Sequence, residues 1–293
     1  MRMTHGQRSE LLVGLAFISP WVIGFFWFNP YPVVASVYYS FTSFHVIDPP
    51  QWVGLDNFNT LIHDELFWIS LKDTAYYIAG SVPLDLVAAL FFAVLLNLQL
   101  PLRSVLRTCY YIPTIVPTVA GAILWIMLFN THGGIINETL GLFRIPEIPW
   151  LSSPDWAMPA LIVVSVWGVG TAVVIFLAGL QDVPVTLYEA ARLDGAGPLQ
   201  LVWHVTVPLV SPVILFNGIL GMVGASQVFA QPLIMTAGGP LNATLMYSIT
   251  LFRNAFVYYK MGYASALGWI LFVFLFALTL LSLRLSNRFV HYE

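Results

Sequence analysis

Six stretches stay apolar for long enough to cross a bilayer: 11–41, 71–97, 105–129, 156–180, 205–229 and 263–285. A helix needs about 20 mostly apolar residues to span roughly 30 Å of hydrocarbon. The pattern therefore predicts an all-α, polytopic membrane protein with six transmembrane helices. The first run is too long for one straight span, and Asn29, Pro30 and Pro32 are placed to break or kink it near its outer end. Arg2 and Arg8 ahead of it also fit a cleaved signal peptide. The run outlasts a signal core of about 7 to 15 residues and lacks a clear small-residue cleavage site, which favours a retained helix.

Charge sets the orientation. With both ends in the cytoplasm, the inner segments hold Arg2, Arg8, Arg103, Arg107, Arg192, Arg284 and Arg288, whereas the outer ones hold only Lys72, Arg144, Arg253 and Lys260. Short basic loops stay inside, so the expected topology is N-in, C-in. Composition agrees: 59% of residues are apolar and 9% charged, with a mean hydropathy of +0.83. Globular chains run at about 45–50% and 25%. A net charge of −3 with no basic run excludes a nucleic-acid footprint. Cys109 is the single cysteine, so neither an intrachain disulfide nor a thiolate metal cage forms, and it reads as an apolar filler at a helix end. The outer loops, about 42–70, 130–155 and 230–262, are too short for cores of their own. A single transmembrane domain over 1–293 follows. Asn137-Glu138-Thr139 and Asn242-Ala243-Thr244 match the glycosylation triplet, a pattern that often arises by chance.

The inner loop 181–204 reads unlike a simple turn. Pro184 suits the first turn of a short helix and Asp182 can cap it. Val185 to Leu193 are tolerable helix formers, and Gly195 can end the helix in the left-handed conformation. Pro198 then starts a second short helix running to His204 and into the membrane. Small Ala190 and Ala191 would let another protein approach, and Glu189 and Arg192 offer it charge. Read from these residues alone, an interfacial helix that merely reverses the chain, with its charges solvated, is the better account.

Glu189-Ala190-Ala191, then Gly195, then Val205, Val207 and Pro208, resembles the signature of the inner-membrane permeases of binding-protein-dependent ABC importers, with valine for the usual isoleucine and leucine. Leu187-Tyr188, Asp194-Gly195-Ala196, Gly238-Gly239-Pro240, Met261-Gly262-Tyr263-Ala264-Ser265-Ala266 and Gly54-Leu55-Asp56-Asn57-Phe58 look like the carbohydrate-uptake branch, of maltose or glycerol-phosphate type. The resemblance implies a type I ABC importer permease fold in a bacterial or archaeal cytoplasmic membrane. It implies a second homologous permease as heterodimer partner, two copies of a cytoplasmic ABC ATPase and an external solute-binding protein, with lipid around them. It makes Glu189, Ala190, Ala191, Arg192, Asp194 and Gly195 the coupling contact with the ATPase. This chain lacks G-x-x-x-x-G-K-[ST], so ATP and Mg are expected on the partner and no cofactor here.

A solute path is expected where polar residues interrupt apolar helices, because burying them against lipid is costly. The fourth run offers Ser165, Trp167, Gly168, Gly170 and Thr171, and the fifth Asn217, Ser226 and Gln227. The resemblance assigns these two helices to the cavity. Trp167 could stack on a sugar ring and Gln227 hydrogen-bond to it, whereas Gly168 and Gly170 fit close packing as well as a pathway. Asp85, two residues after Pro83, is the one formal charge deep in a span and a possible intramembrane polar site. The six histidines do not cluster, so no metal site or catalytic constellation is expected. A secondary carrier or channel would show several buried charges or an inverted repeat. An intramembrane enzyme would show a converging nucleophile and base.

Overall fold

The computed structural model describes residues 5–98 and 103–286; Arg2, Arg288 and His291 lie outside them. Along the chain, α1 (His5–Phe28) and α2 (Pro30–Ser40) are followed by a small antiparallel hairpin, β1 (Thr42–Ser43) with β2 (Gln51–Trp52), and by α3 (Asp56–His63). The long α4 (Glu65–Asn97) comes next, then α5 (Arg103–Ile115), α6 (Thr118–Leu128) and α7 (Ile135–Leu142). α8 (Pro154–Trp167) and α9 (Gly170–Gln181) precede α10 (Val185–Leu193) and α11 (Pro198–Leu201). A π-helical turn, Val202–Thr206, leads to α12 (Val207–Leu209), α13 (Ser211–Ser226) and α14 (Ala230–Met235). Finally α15 (Tyr247–Phe252) passes through a second π-helical turn, Arg253–Val257, to α16 (Met261–Ser286).

Among the described residues three helices are long and apolar enough to cross a membrane by themselves, and three bent pairs, each taken as one span, raise the number to six. The pairs are α5 with α6, bent by 102°, α8 with α9, by 49°, and the Pro198–Leu209 segment, from α11 to α12, with α13, by 70°. Unbroken apolarity hides these breaks because their causes are short: Pro117 ahead of α6, Gly168-Val169 between α8 and α9, and Pro208 and Pro212 around Val210. Proline forfeits a backbone donor and crowds the preceding turn. The expected break at Asn29 is mild by comparison. Asn29 N–H still donates to Phe25 O at 2.9 Å and Val33 N–H to Asn29 O at 3.3 Å, so Glu10–Ser40 stays one span.

The chain forms two compact units. One comprises residues up to His63 together with Leu251–Leu271. Asn57 Nδ2 donates to Ser40 O and Thr42 O, both at 2.9 Å, while Phe41 stacks on Trp52 at 5.6 Å and tilts against Phe58 at 5.4 Å. The Gly54-Leu55-Asp56-Asn57-Phe58 element is thus a latch that closes the hairpin over the end of α2. Trp269 Nε1 donates to Ser36 Oγ at 3.2 Å, tying α16 to α2, with Ala264, Ala266 and Leu267 buried. The first span buries nothing of its most apolar window, as suits a lipid-facing helix.

The other unit is Asp64–Thr250 with the second half of α16. Asp64 caps α4 by accepting from Leu66 N–H at 2.9 Å. α4 packs on α8, α9 and α13. One apolar cluster gathers Tyr77, Phe129, Leu161 and Met246, and a second gathers Ala93, Phe176, Leu180 and Val210. Helices surrounded by lipid gain little from the hydrophobic effect, so such interlocking holds them together. Polar clasps add direction. Leu245 N–H donates to Asp73 Oδ2 at 3.1 Å and Tyr247 N–H to Thr74 Oγ1 at 2.9 Å. Both triplets are structural. Asn137 is buried and spends its amide on Thr131 O, Ile148 O, Ile148 N–H and Trp150 Nε1–H, at 2.9–3.3 Å. Thr244 is buried, and its hydroxyl donates to Gly239 O at 2.7 Å.

Candidate functional site

α4, the break between α8 and α9, and α13 enclose a cavity of about 420 Å³. Its polar wall consists of Asp85, Ser165, Thr171 and Asn217, with Gly168 and Gly224 widening it. Ser165 Oγ donates to Asp85 Oδ1 at 2.8 Å, bringing the last turn of α8 against the middle of α4. Asn217 Nδ2 donates to Val213 O at 3.0 Å, which leaves its carbonyl oxygen and second amide hydrogen for the cavity. The bend at Gly168-Val169 brings Thr171 to the same space. Asp85, Gly168, Thr171 and Asn217 therefore converge.

The remaining residues of the expected path lie elsewhere. Trp167 meets Trp125 edge to face at 6.1 Å and lines two neighbouring cavities, of about 470 and 200 Å³. Ser226 is buried and donates to Val223 O at 2.7 Å within its own helix. Gln227 sits exposed at the C-terminal cap of α13. The two glycines separate cleanly. A β-carbon on Gly170 would fall 2.6 Å from Tyr110 O and 2.7 Å from Thr114 Cγ2, so close packing of α9 on α5 requires it. At Gly168 the nearest atom would be Ser165 O at 3.4 Å, so that glycine serves the cavity instead. Gly221 and Gly224 also line the cavity, and their i, i+3 spacing, which puts both on one side of α13, is the signal for them in the sequence.

At the other end of this unit, α10 buries none of its residues, and Glu189, Ala190, Arg192, Asp194 and Gly195 are exposed. Its start corrects the sequence expectation: Pro184 is the cap residue rather than part of the first turn, with no side-chain hydrogen bond, and Asp182 closes α9. The reason is that the residue before the first helical one must be extended, which Pro184 at ψ 125° supplies. Its other end is as the glycine suggests. Gly195 has φ +86°, its N–H donates to Arg192 O at 3.0 Å, and Ala196 N–H donates to Ala191 O at 2.9 Å. This is the paired bonding of a Schellman motif. The second helix does not end at His204 but continues to Leu209 before the 70° bend. Gly197 N–H donates to Gln200 Oε1 at 2.8 Å, capping its start.

α10 hangs on two contacts. Val183 and Tyr188 pack on the Phe176 and Leu180 cluster, and Tyr188 Oη lies 3.0 Å from Thr206 Oγ1, which itself donates to Leu201 O. Leu193 and Leu199, at 90% and 76% exposure, face outward beside the charges, a mixed surface suited to protein contact. Tyr188→Phe should cost about 1 kcal/mol of local stability, the usual net worth of one hydrogen bond. Hydrogen exchange of the α10 amides should quicken about fivefold, with exchange in α13 unaltered.

Among the described residues no three His, Cys, Asp or Glu side chains gather to hold a metal, and an ion pair of His132 with Glu147 at 2.8 Å is exposed. Cys109 is exposed within α5 rather than packed as a filler, since the apolar surface it joins borders the Trp167 cavity.

Apolar spans, up to six among the described residues, a polar-walled cavity between α4, α8, α9 and α13, and an unburied mixed helix define a multi-pass membrane transport protein. The chain belongs to the family of binding-protein-dependent transport system inner membrane components, whose profile matches residues 85–291. It is 41% identical to the probable ABC transporter permease protein YesP of Bacillus subtilis, over 100% of this chain and 96% of that one. The trehalose/maltose transport system permease protein MalF of Thermococcus litoralis is 33% identical, over 94% and 90%. A solved bacterial ABC transporter involved in import of the acidic polysaccharide alginate matches with a TM-score of 0.82 and 23% identity, over 97% of each chain. That likeness establishes the type I importer permease fold. The chain is an ABC importer permease, a transport protein rather than an enzyme.

Proposed function

We propose that this permease passes a carbohydrate, delivered by an external binding protein, through the cavity walled by Asp85, Ser165, Thr171 and Asn217. The cavity carries the reading. Its volume of about 420 Å³ falls within the roughly 300–1,000 Å³ of small-ligand sites, and its hydroxyl and amide groups suit a polyol. Relatives named for trehalose and maltose support the same class. A second, homologous permease completes the path, and both sit in a bacterial or archaeal cytoplasmic membrane with their ends inside. The exposed face of α10 docks on a separate cytoplasmic ATPase, which holds ATP and Mg, because this chain has no phosphate-cradling loop of its own. Rocking of helix bundles then opens the cavity to one side and the other. The bias comes from the different affinities of the loaded binding protein and of ATP for the two states.

Reconstitution in liposomes checks this. The chain alone, with labelled sugars and ATP, should show no uptake. Adding the partner permease, the ATPase and the binding protein should give uptake that requires ATP. Robust uptake by the chain alone would make it a secondary carrier or channel instead.

A further inference from the structure

Asp85 is the one ionisable side chain lining the cavity. Its single hydrogen bond is the one from Ser165 to Oδ1, and it makes no ion pair with any described residue. The second oxygen is therefore left to whatever fills the space. Around it stand neutral groups: the Tyr77 hydroxyl, which hydrogen-bonds with Ser165, the Thr171 hydroxyl, the free half of the Asn217 amide, and apolar walls from Val82, Leu86 and Leu220. Among the described residues, no lysine, arginine or histidine lines the wall to offset the acid.

We infer that Asp85 sets the specificity of this passage: it accepts hydroxyl donors from uncharged sugars and turns away solutes carrying a carboxylate, sulfonate or phosphate. This rests on the reading of the cavity as the carbohydrate path. A carboxylate oxygen accepts strong hydrogen bonds from hydroxyl donors, and a sugar hydroxyl seated there pairs an acceptor that the protein leaves open. An anionic solute meets the opposite situation. With no cation from this chain's described residues to bridge the two negative groups, and with apolar walls that screen poorly, like charges repel strongly over the width of such a cavity. Discrimination therefore comes from the repulsive element as well as from the attractive one. The position on α4 is decisive, because the fourth and fifth spans supply only neutral polar groups.

The intact importer, with both permeases, the ATPase and the binding protein, is reconstituted with ATP in the lumen, the cytoplasmic side. Uptake is first measured for labelled glucose, galactose, maltose and trehalose. The lumen is then loaded with unlabelled glucose and galactose, or with glucuronate and galacturonate at equal concentration, and inhibition of uptake is read from that side. The binding protein plays no part in how these lumenal solutes enter the cavity. Neutral sugars should inhibit, and the uronates should need at least tenfold higher concentration. Asp85→Asn should remove most of that difference, and Asp85→Glu, which keeps the charge, should preserve it. Equal inhibition of the wild-type importer by sugars and uronates overturns the inference without recourse to any variant. So does an Asp85→Asn importer that still excludes uronates. Failure of the wild type to take up any sugar counts instead against the carbohydrate reading.

Discussion

Gly195→Val should abolish ATP-driven uptake while leaving all six spans inserted. Gly195 sits at φ +86° with nothing within 4 Å of where a β-carbon would go, so space is not the obstacle. The backbone is. A side chain in the left-handed region costs about 1–2 kcal/mol, and a β-branched one is among the worst tolerated there. Relief requires φ to change, and that breaks the bonds from Gly195 N–H to Arg192 O and from Ala196 N–H to Ala191 O. Both set the angle between α10 and α11. Because α10 buries none of its residues and is anchored through Val183 and Tyr188, a change at this corner redirects the whole docking face. Substrate-stimulated ATP hydrolysis should fall at least tenfold. Glu189→Lys should reach a similar end by another route, since reversing a charge in a tight interface commonly costs several kcal/mol. Co-purification of the ATPase with each variant, together with coupled hydrolysis in liposomes, checks both. Normal binding and normal stimulation in both variants would return α10 to the role of an interfacial turn.

Much of this architecture is legible in the chain because lipid leaves so few options. Each of the six apolar runs coincides with a helix or a bent helix pair, since a backbone in hydrocarbon must pair its own polar groups. The bends are harder to read. Val210 and Val169 are as apolar as their neighbours, and only the surrounding prolines and glycine hint at a turn. Three-dimensional neighbours decide the rest. Gly168 and Gly170 are indistinguishable as letters, yet one lines the cavity and the other lies against the Tyr110 carbonyl. Gln227 has the right chemistry for a sugar ligand, but α13 ends there and leaves its side chain outside the cavity. Asn137 matches a glycosylation triplet, and its four hydrogen bonds make it a loop pin instead. Asp85 stands out in sequence because a charge in a span is rare. Its partner Ser165, eighty residues on, becomes visible only once α4 and α8 pack.

Gly224→Phe should block the passage in a protein that still assembles. Gly224 lies on the cavity side of α13, and a β-carbon there meets nothing within 4 Å, so the aromatic ring has the cavity itself to enter. The helix gains rather than suffers, because glycine is about 0.5 kcal/mol less favourable than phenylalanine in a helix interior. Gly221, one turn earlier, is a poorer choice for a plug: its β-carbon would already touch Val82 Cγ1 at 3.4 Å, which leaves a ring less room to enter the cavity. Gly170→Ala makes the opposing control, since its β-carbon would collide with the Tyr110 carbonyl. Overpacking of this kind typically costs about 1–3 kcal/mol. The two substitutions should therefore divide the observables. Gly224→Phe should lower sugar uptake at least tenfold at an unchanged melting temperature and unchanged recovery of the partner subunits, whereas Gly170→Ala should lower the melting temperature of the complex. Wild-type rates of uptake through a Gly224→Phe importer would mean that solute does not travel between α4, α8, α9 and α13, and the path would have to be sought beside Trp167 instead.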